Sequence, residues 1–301
     1  MTDRLPTDAF MLLPDRGAPV LTAHLFPTER EALLDLLRSL SQAQWAAPTI
    51  CAGWSVKDVA LHLLAGDLSK LARGRDRFDA PTDTVPSPTP TDFASLVTFL
   101  DELNTRRVRE LRWLSIPLLV DLLTATGPLL HAYLAGLDPF QPGEPVSWAG
   151  QARAPNWLDV AREFTERWVH QQQIRDAVGH PGMSEPHLLH PVLATFARAL
   201  PPALRDADAA PNTTVLLHIT GPAGGRWYAV REQTAWVLHQ HAASPPAATV
   251  VLDQDTAWRR FTNGIDAATT RQRATLEGDL ALADRALHAI AIIGQPTTPT
   301  P

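Results

Sequence analysis

Apolar residues recur at helical spacing through the first 180 positions. Residues 25–45 carry Leu33, Leu36, Leu37 and Leu40, the i, i+3, i+4 pattern of an amphipathic helix with one buried face. The same spacing predicts further helices over 55–72, 92–112, 115–135, 156–178 and 188–201. Stretches rich in proline and glycine separate them, so an all-α arrangement with four long helices is expected for this part.

The start signals of two helices can be read from short motifs. Thr28 is followed three residues later by Glu31, and Ser55 is followed at the same distance by Asp58. A hydroxyl or carboxylate residue with an acidic residue three positions on is the pattern of a capping box. The sequence therefore predicts Thr28 and Ser55 as N-caps, with Ser55 the weaker signal.

The pattern changes after residue 182, where runs rich in β-branched residues appear. They predict strands over 214–220, 226–232, 234–240 and 248–253, with the turn PAGG at 222–225 closing a hairpin. Two helices, over 255–264 and 279–294, end the ordered part. We predict a small α+β C-terminal domain.

These patterns divide the chain into four parts. The prediction is an N-terminal extension over 1–24, a helical domain over 25–182, an α+β domain over 183–294 and a flexible tail over 295–301. No internal repeat is visible.

Composition narrows the class of function. The 301 residues carry a formal net charge of −6, which argues against a nucleic-acid-binding protein. The N-terminus lacks the pattern of a signal peptide, and the apolar runs are too short to span a membrane. The single cysteine, Cys51, excludes an internal disulfide framework. We expect a cytoplasmic protein with neither membrane nor nucleic-acid partners.

One candidate for chemistry lies in EFTERWVHQQQ, residues 163–173, where Glu166 and His170 stand four positions apart. Such a pair shares one helix face, and catalytic zinc sites use three ligands from histidine and carboxylate. His62 on a second predicted helix is the best third ligand. The alternative is a solvated pair, since the strongest apolar stripe lies on the opposite side of the helix. Spacing alone leaves both open.

Two stretches together resemble a known family. PTICAGWSVKDVALHLLAGD and WLDVAREFTERWVHQQQIRDAVG are similar to the two N-terminal motifs of the mycothiol-dependent maleylpyruvate isomerase family. The resemblance implies a DinB-like (DinB/YfiT) metal-binding four-helix bundle, followed by a sterol-carrier-like α+β domain. It also implies that His62, Glu166 and His170 are the metal ligands. Zinc is the implied ion, although two histidines and a carboxylate suit Fe(II) as well.

The resemblance further implies a reaction class. The metal is expected to bind the sulfur of a low-molecular-weight thiol, mycothiol or bacillithiol, and to hold it as a thiolate nucleophile. Attack on a small electrophilic substrate leads to isomerisation or to S-transfer. A non-catalytic metal- or ligand-binding module and a hydrolase using bound water remain alternatives. The expected partners are the substrate and the thiol, with a monomer or a dimer both possible.

Other residues have weaker signals. Asp58 stands one turn before His62 and is a candidate to orient it, with helix capping as the alternative. Cys51 is either close to the site or a packed small thiol. An anionic substrate or thiol would need an arginine, and the candidates are Arg226, Arg231, Arg259 and Arg260. His131 is a possible fourth ligand.

Overall fold

The computed structural model describes residues 17–79, 81, 91, 93–150 and 154–291. Its α-helices are α1 (Phe26–Ser39), α2 (Gln42–Trp45), α3 (Val56–Lys70), α4 (Phe93–Leu111), α5 (Ile116–Ala135), α6 (Asn156–Val178), α7 (Pro186–Phe196), α8 (Leu200–Leu204), α9 (Gln254–Phe261), α10 (Ala267–Arg273) and α11 (Leu280–Leu287). Its strands are β1 (Thr214–Thr220), β2 (Gly225–Arg231), β3 (Trp236–His239), β4 (Ala248–Asp253) and β5 (Thr275–Gly278). The predicted tail and most of the predicted N-terminal extension lie outside the described residues. The expected order, a helical part followed by a part with a small sheet, is confirmed.

The first predicted helix is two helices. Helix α1 ends at Ser39, and Ser41 starts α2 with its side chain accepting from the Gln44 N–H while the Gln44 side chain accepts from the Ser41 N–H. The prediction of Thr28 as an N-cap is wrong. A 3₁₀ turn over Ala23–Leu25 runs directly into α1, so Thr28 lies inside the helix.

Helix α3, which carries His62, begins as its sequence predicts. The Ser55 side chain accepts from the Asp58 N–H, and the Asp58 side chain accepts from the Ser55 N–H. This reciprocal cap satisfies two backbone donors that the first turn would otherwise leave unpaired. The start of α3 is therefore fixed seven residues before His62.

The helical core is built from leucines of α1, α3 and α5. Leu33, Leu61, Leu64 and Leu123 have no exposed surface and share one apolar cluster with Ile174 of α6. Burial of a leucine contributes roughly 1.5–3 kcal/mol. This cluster holds α3 and α6, the two helices of the candidate site, in one packed core.

Helix α5 is long and strongly apolar. By length and composition it could cross a membrane, so the expectation that no apolar stretch is long enough does not hold for this helix. However, Leu119, Leu123, Leu130 and Leu134 are buried against the other helices. The buried share of its most apolar 18-residue window is 28%, so one face of α5 packs in the core while much of the helix stays exposed.

A buried aspartate joins four helices. Asp67 of α3 has no exposed surface and accepts from Arg30 of α1 at 2.6 Å, from Arg167 of α6 at 2.9 Å and from Thr126 of α5 at 2.7 Å. A buried carboxylate requires such partners, because its desolvation is otherwise unfavourable by several kcal/mol. The contact with Arg167 ties α3 to α6 one residue from Glu166.

The sheet has the strand order β3-β2-β1-β4-β5. The central β1–β4 pair is parallel, and the other pairs are antiparallel. The predicted strands and the hairpin are confirmed. Strand β5 and helix α10 were not predicted, because each is short and β5 is mostly exposed, which leaves little periodic signal.

The chain forms two compact units. We call Ala23–Leu137 together with Phe164–Met183 the helical unit. The sheet unit comprises Asp138–Glu163 and the described residues of 1–22 and 184–292. Helix α6 thus contributes its first turns to one unit and the rest, including Glu166 and His170, to the other. The predicted division at residue 182 remains a proposal.

Candidate metal centre

Three predicted ligands meet inside the helical unit. His62 lies in the middle of α3, and Glu166 and His170 lie on successive turns of α6. One ligand atom of each residue lies within 4.8 Å of the others. His170 Nε2 is 3.5 Å from Glu166 Oε2, and the two imidazole rings are 4.7 Å apart with an interplanar angle of 74°. The set of two imidazoles and one carboxylate spans two helices.

The burial of these residues bears on the alternative of a solvated pair. His170 is only 9% exposed, whereas the Glu166 side chain is 32% exposed. A pair on a wet helix face would leave both side chains in water. The helix face of α6 that carries this pair is therefore buried at His170 and reaches solvent at Glu166.

His62 is held in its neutral form. Desolvation lowers the pKa of His62 to about 3, with the charges of His170 and Arg167 acting in the same direction and Glu166 opposing them. The neutral imidazole has a free lone pair, which is the form that binds a metal ion. Trp54 packs beside this ring with centroids 5.1 Å apart.

The pKa of His170 is shifted in the opposite direction. Burial acts to lower its pKa, but interactions with Cys51 and Glu166 outweigh burial and raise the pKa to about 10. These interactions favour the protonated ring, and the carboxylate of Glu166 stabilises its charge. A divalent cation bound at this position would replace the proton with a larger positive charge.

One residue in close contact with His170 was not singled out by the sequence analysis. Gln173 Oε1 lies 2.7 Å from His170 Nδ1 and 3.1 Å from Cys51 Sγ. The available signal was the spacing, because Gln173 is three residues after His170 on the same helix face. Cys51 does approach the site, which its sequence alone left open.

A tight turn before α3 carries Cys51 and Trp54 to the site. Gly53 adopts φ +75°, the left-handed region that favours glycine. The Thr49 side chain accepts from the Cys51 N–H and donates to the Trp54 carbonyl. The segment CAGW is thus a rigid turn that places a thiol and an indole next to His62 and His170.

Asp58 is engaged elsewhere. One carboxylate oxygen accepts from the N–H and the hydroxyl of Ser55, and the other accepts from Arg112 Nε at 2.8 Å. Burial favours a higher pKa for Asp58, but these hydrogen bonds from Arg112 and Ser55 lower it below its usual value. The contacts favour the capping alternative for Asp58 over the orientation of His62.

The arginine candidates belong to the sheet unit. Arg260 donates to the Leu287 carbonyl, and Arg259 pairs with Asp255 and stacks on Trp258. These contacts give both arginines structural roles in the sheet unit. Arg226 is exposed on β2. Among the described residues, His131 is not part of the group that could hold a metal ion.

The donor set fits a divalent transition metal. Two imidazoles and one carboxylate are the ligands of catalytic zinc sites and of non-haem Fe(II) sites, both of which leave positions open. Here the donors converge, His62 is neutral and the buried ring of His170 has a fixed partner at Nδ1. The chemistry of the residues present is consistent with binding such an ion.

The N-terminal part of the chain matches a known family. Residues 26–175 match the sequence model of the mycothiol maleylpyruvate isomerase N-terminal domain. No curated protein sequence matches the chain.

Among solved structures, a mycothiol-dependent maleylpyruvate isomerase is 13% identical, with a TM-score of 0.47 over 85% of this chain and 88% of that chain. A His-to-Ala mutant of the enzyme is 14% identical, with a TM-score of 0.47 over 91% and 93%. The segment that matches the family contains all three ligand candidates. Through residues 26–175, the chain belongs to the mycothiol maleylpyruvate isomerase N-terminal domain family.

Proposed function

We propose that this chain is a metal-dependent enzyme that uses a low-molecular-weight thiol of the mycothiol type. It would isomerise a small electrophilic substrate or transfer the thiol sulfur to it. The observation that carries the proposal is the convergence of His62, Glu166 and His170 from two helices to within 4.8 Å. Family membership supports the thiol and the isomerase reaction.

The proposal includes the finer description of the fold. The helical unit would be a DinB-like four-helix bundle, and the part with the sheet a sterol-carrier-like domain. In such bundles, metal sites are built in the core from side chains on facing helices. The positions of His62 on α3 and of the Glu166–His170 pair on α6 are consistent with that architecture.

His62, Glu166 and His170 would hold the ion, zinc in the first instance. A bound divalent cation would act as a Lewis acid that favours the thiolate form of a sulfur ligand, whose free pKa is near 8.5. The neutral His62 imidazole is ready to donate its lone pair. The Glu166 carboxylate contributes a negative charge and keeps a solvent-accessible edge through which small molecules can approach.

The protein also controls protons and water around the site. Gln173 holds the Nδ1 side of His170, and the indole of Trp54 shields one side of His62. Cys51 is a protein thiol that lies 3.1 Å from the same Gln173 oxygen that contacts His170. These groups orient the ligands and limit the entry of water, which would compete with a thiol as nucleophile.

Metal analysis of the purified chain tests the site. Wild type is expected to retain about one divalent ion, and His62→Ala and His170→Ala are expected to lose it. His131→Ala is the matched control, since the described structure places His131 outside the group of donors. A wild type without metal, or equal retention by all variants, would contradict the proposed site.

Calorimetry then tests the thiol. The metal-loaded chain is expected to bind mycothiol. Bacillithiol, a second low-molecular-weight thiol, shows whether binding depends on the part of the molecule that carries the sulfur. No binding of either thiol, together with hydrolysis of an activated ester, would favour the hydrolase using water. Retained metal without thiol binding or any turnover would favour the non-catalytic binding module.

A further inference from the structure

A chain of contacts behind His170 links it to the turn before α3. Gln173 Oε1 lies 2.7 Å from His170 Nδ1 and 3.1 Å from Cys51 Sγ. Cys51 and Gln173 are 122 residues apart in sequence. One side-chain oxygen on α6 therefore contacts both the ring of a proposed ligand on its own helix and a thiol from the turn before α3.

The chemistry of these groups selects where the proton lies. A carboxamide oxygen only accepts hydrogen bonds, whereas an imidazole N–H and a thiol S–H both donate. With Oε1 between the two, His170 must carry a proton on Nδ1. That proton leaves Nε2, the atom 3.5 Å from Glu166 Oε2, as the nitrogen that can bind a metal ion.

The opposite orientation of the amide has a different consequence. If the Gln173 amide nitrogen faced His170, it would donate to Nδ1, and the neutral ring would then carry its proton on Nε2. In that tautomer the Nε2–H would point to Glu166 and block the ligand atom. The orientation of one amide thus decides between a ligand-competent ring and a blocked one.

Cys51 favours the competent orientation. A thiol can donate its S–H, and Cys51 Sγ donates to Gln173 Oε1 at 3.1 Å, an arrangement that places the amide oxygen between the thiol and the ring. The turn with Gly53 at φ +75° and the hydrogen bonds of Thr49 hold the backbone of Cys51. The thiol is thereby kept where it can orient the amide.

We propose that Gln173 is a positioning residue that fixes His170 as an Nε2 ligand, and that Cys51 orients the Gln173 amide without binding the metal itself. This inference rests on the proposed metal site. Hydrogen bonds to the second nitrogen of a metal-binding histidine typically change metal affinity by about 10–100-fold when they are removed.

The test is metal affinity, measured by competition with a chelator on the full chain. Gln173→Leu is expected to weaken zinc binding by about 10–100-fold, and Gln173→Glu, which keeps an acceptor oxygen, is expected to restore most of it. Gln42→Leu, an exposed position on α2, is the control for a glutamine-to-leucine change. If wild type binds zinc and Gln173→Leu binds it equally well, the inference fails while the metal site stands.

Two spectroscopic measurements separate positioning from ligation. In the zinc-loaded chain with ¹⁵N-labelled histidine, the ring of His170 is expected to show a protonated Nδ1 and a metal-bound Nε2. With Co²⁺ in place of zinc, wild type and Cys51→Ser are expected to give the same visible spectrum. A thiolate-to-cobalt charge-transfer band that disappears in Cys51→Ser would make Cys51 a ligand and overturn its proposed role, as would a His170 ring bound through Nδ1.

A wild type that binds neither zinc nor Co²⁺ removes the proposed function and this inference together. That outcome is distinguished from failure of the inference alone, in which wild type and Gln173→Leu both load fully.

Discussion

Asp58 holds the start of α3 through both of its carboxylate oxygens. One oxygen completes the cap with Ser55, and the other meets Arg112. Since the Arg112 side chain is 52% exposed, the ion pair contributes little and the cap dominates.

We expect Asp58→Ala to lower the free energy of unfolding by about 0.5–2 kcal/mol, the range for losing a helix-capping contact. Metal affinity is expected to stay unchanged, because the described contacts of Asp58 do not reach His62. Urea unfolding and chelator competition on the same protein check both parts. Ser55→Ala should destabilise to a similar extent, and a selective loss of metal by Asp58→Ala would instead assign it to the orientation of His62.

Glu29 is a buried acid whose environment differs from that of Asp67. It has no exposed surface, and neither carboxylate oxygen has a hydrogen-bond partner among the described residues. Burial raises its pKa from 4.5 to about 7, with Asp67 acting in the same direction, although Arg30, Arg167 and Arg175 oppose the shift. The folded chain therefore favours the protonated acid.

This shift makes stability depend on pH. Between the unfolded and folded pKa values, 4.5 and about 7, the folded chain holds a proton that the unfolded chain has lost. Stability should therefore fall as pH rises through this window, by roughly 3 kcal/mol in total. Glu29→Gln is expected to remove that loss, so urea unfolding of the two proteins should diverge towards alkaline pH. Parallel curves for wild type and variant would show that Glu29 ionises normally.

The residues of the site differ in how far sequence could identify them. Glu166 and His170 lie one turn apart on a single helix, a relation that spacing encodes directly, and the family motif adds His62. The contact between Gln173 and Cys51 spans 122 residues and depends on a turn that only the fold brings back to α6. Spacing also left the burial of the pair open, because the apolar stripe of α6 lies on its opposite side.

At the level of elements, the ion pair between Asp67 and Arg167 joins the two helices of the site, α3 and α6. Asp67 and Arg167 are both nearly inaccessible, with side-chain exposures of 0% and 4%. Arg30 and Thr126 complete the group from α1 and α5. If this shared carboxylate is removed, the buried guanidinium groups of Arg30 and Arg167 lose their hydrogen bonds to it.

We expect Asp67→Ala to reduce the free energy of unfolding by about 3–5 kcal/mol, the range for breaking a buried ion pair. Asp35→Ala is the matched control, because Asp35 is a helical aspartate with a side chain 72% exposed and only a 3.8 Å contact to Arg38. Urea unfolding at fixed pH should separate the two variants clearly. Equal stability losses would mean that the buried group contributes no more than a surface pair.

The helices show where local signals succeed and where they fail. Ser55 and Asp58 form the predicted cap because both partners lie within one turn. Thr28 fails because a 3₁₀ turn over Ala23–Leu25 starts the helical backbone earlier, and packing of Leu25 and Phe26 favours that extension. Tertiary burial thus overrides a capping motif that is worth about 1 kcal/mol.

At the scale of the whole molecule, helix α6 belongs to both compact units. Its residues up to Glu163 are part of the sheet unit, and those from Phe164 are part of the helical unit. A boundary drawn near residue 182 therefore removes most of the sheet unit but keeps the segment Asp138–Glu163. It also removes Met183, whose carbonyl accepts from Trp168 Nε1 and whose N–H donates to Gln172.

We expect a fragment ending at residue 182 to be much less stable than the full chain and to bind an apolar dye such as ANS. Trp148 and Trp157 are each 5% exposed in the full structure. In the fragment, most of the sheet unit to which they belong is missing, so their side chains would become more exposed. A chain ending at residue 294 is the control and should unfold like the full chain. A fragment that unfolds with the full chain's cooperativity and stability would show that the helical domain is independent.

The division of α6 also sets an order of events during synthesis. Residues 138–163 leave the ribosome before residues 184–291, which complete their unit and take roughly 5–20 s to make at about 5–20 residues per second. For that interval Trp148 and Trp157 lack their final burial, while the helical unit can already close once Met183 has emerged. The nascent chain should therefore be most exposed to chaperones and to aggregation after its proposed metal site has formed.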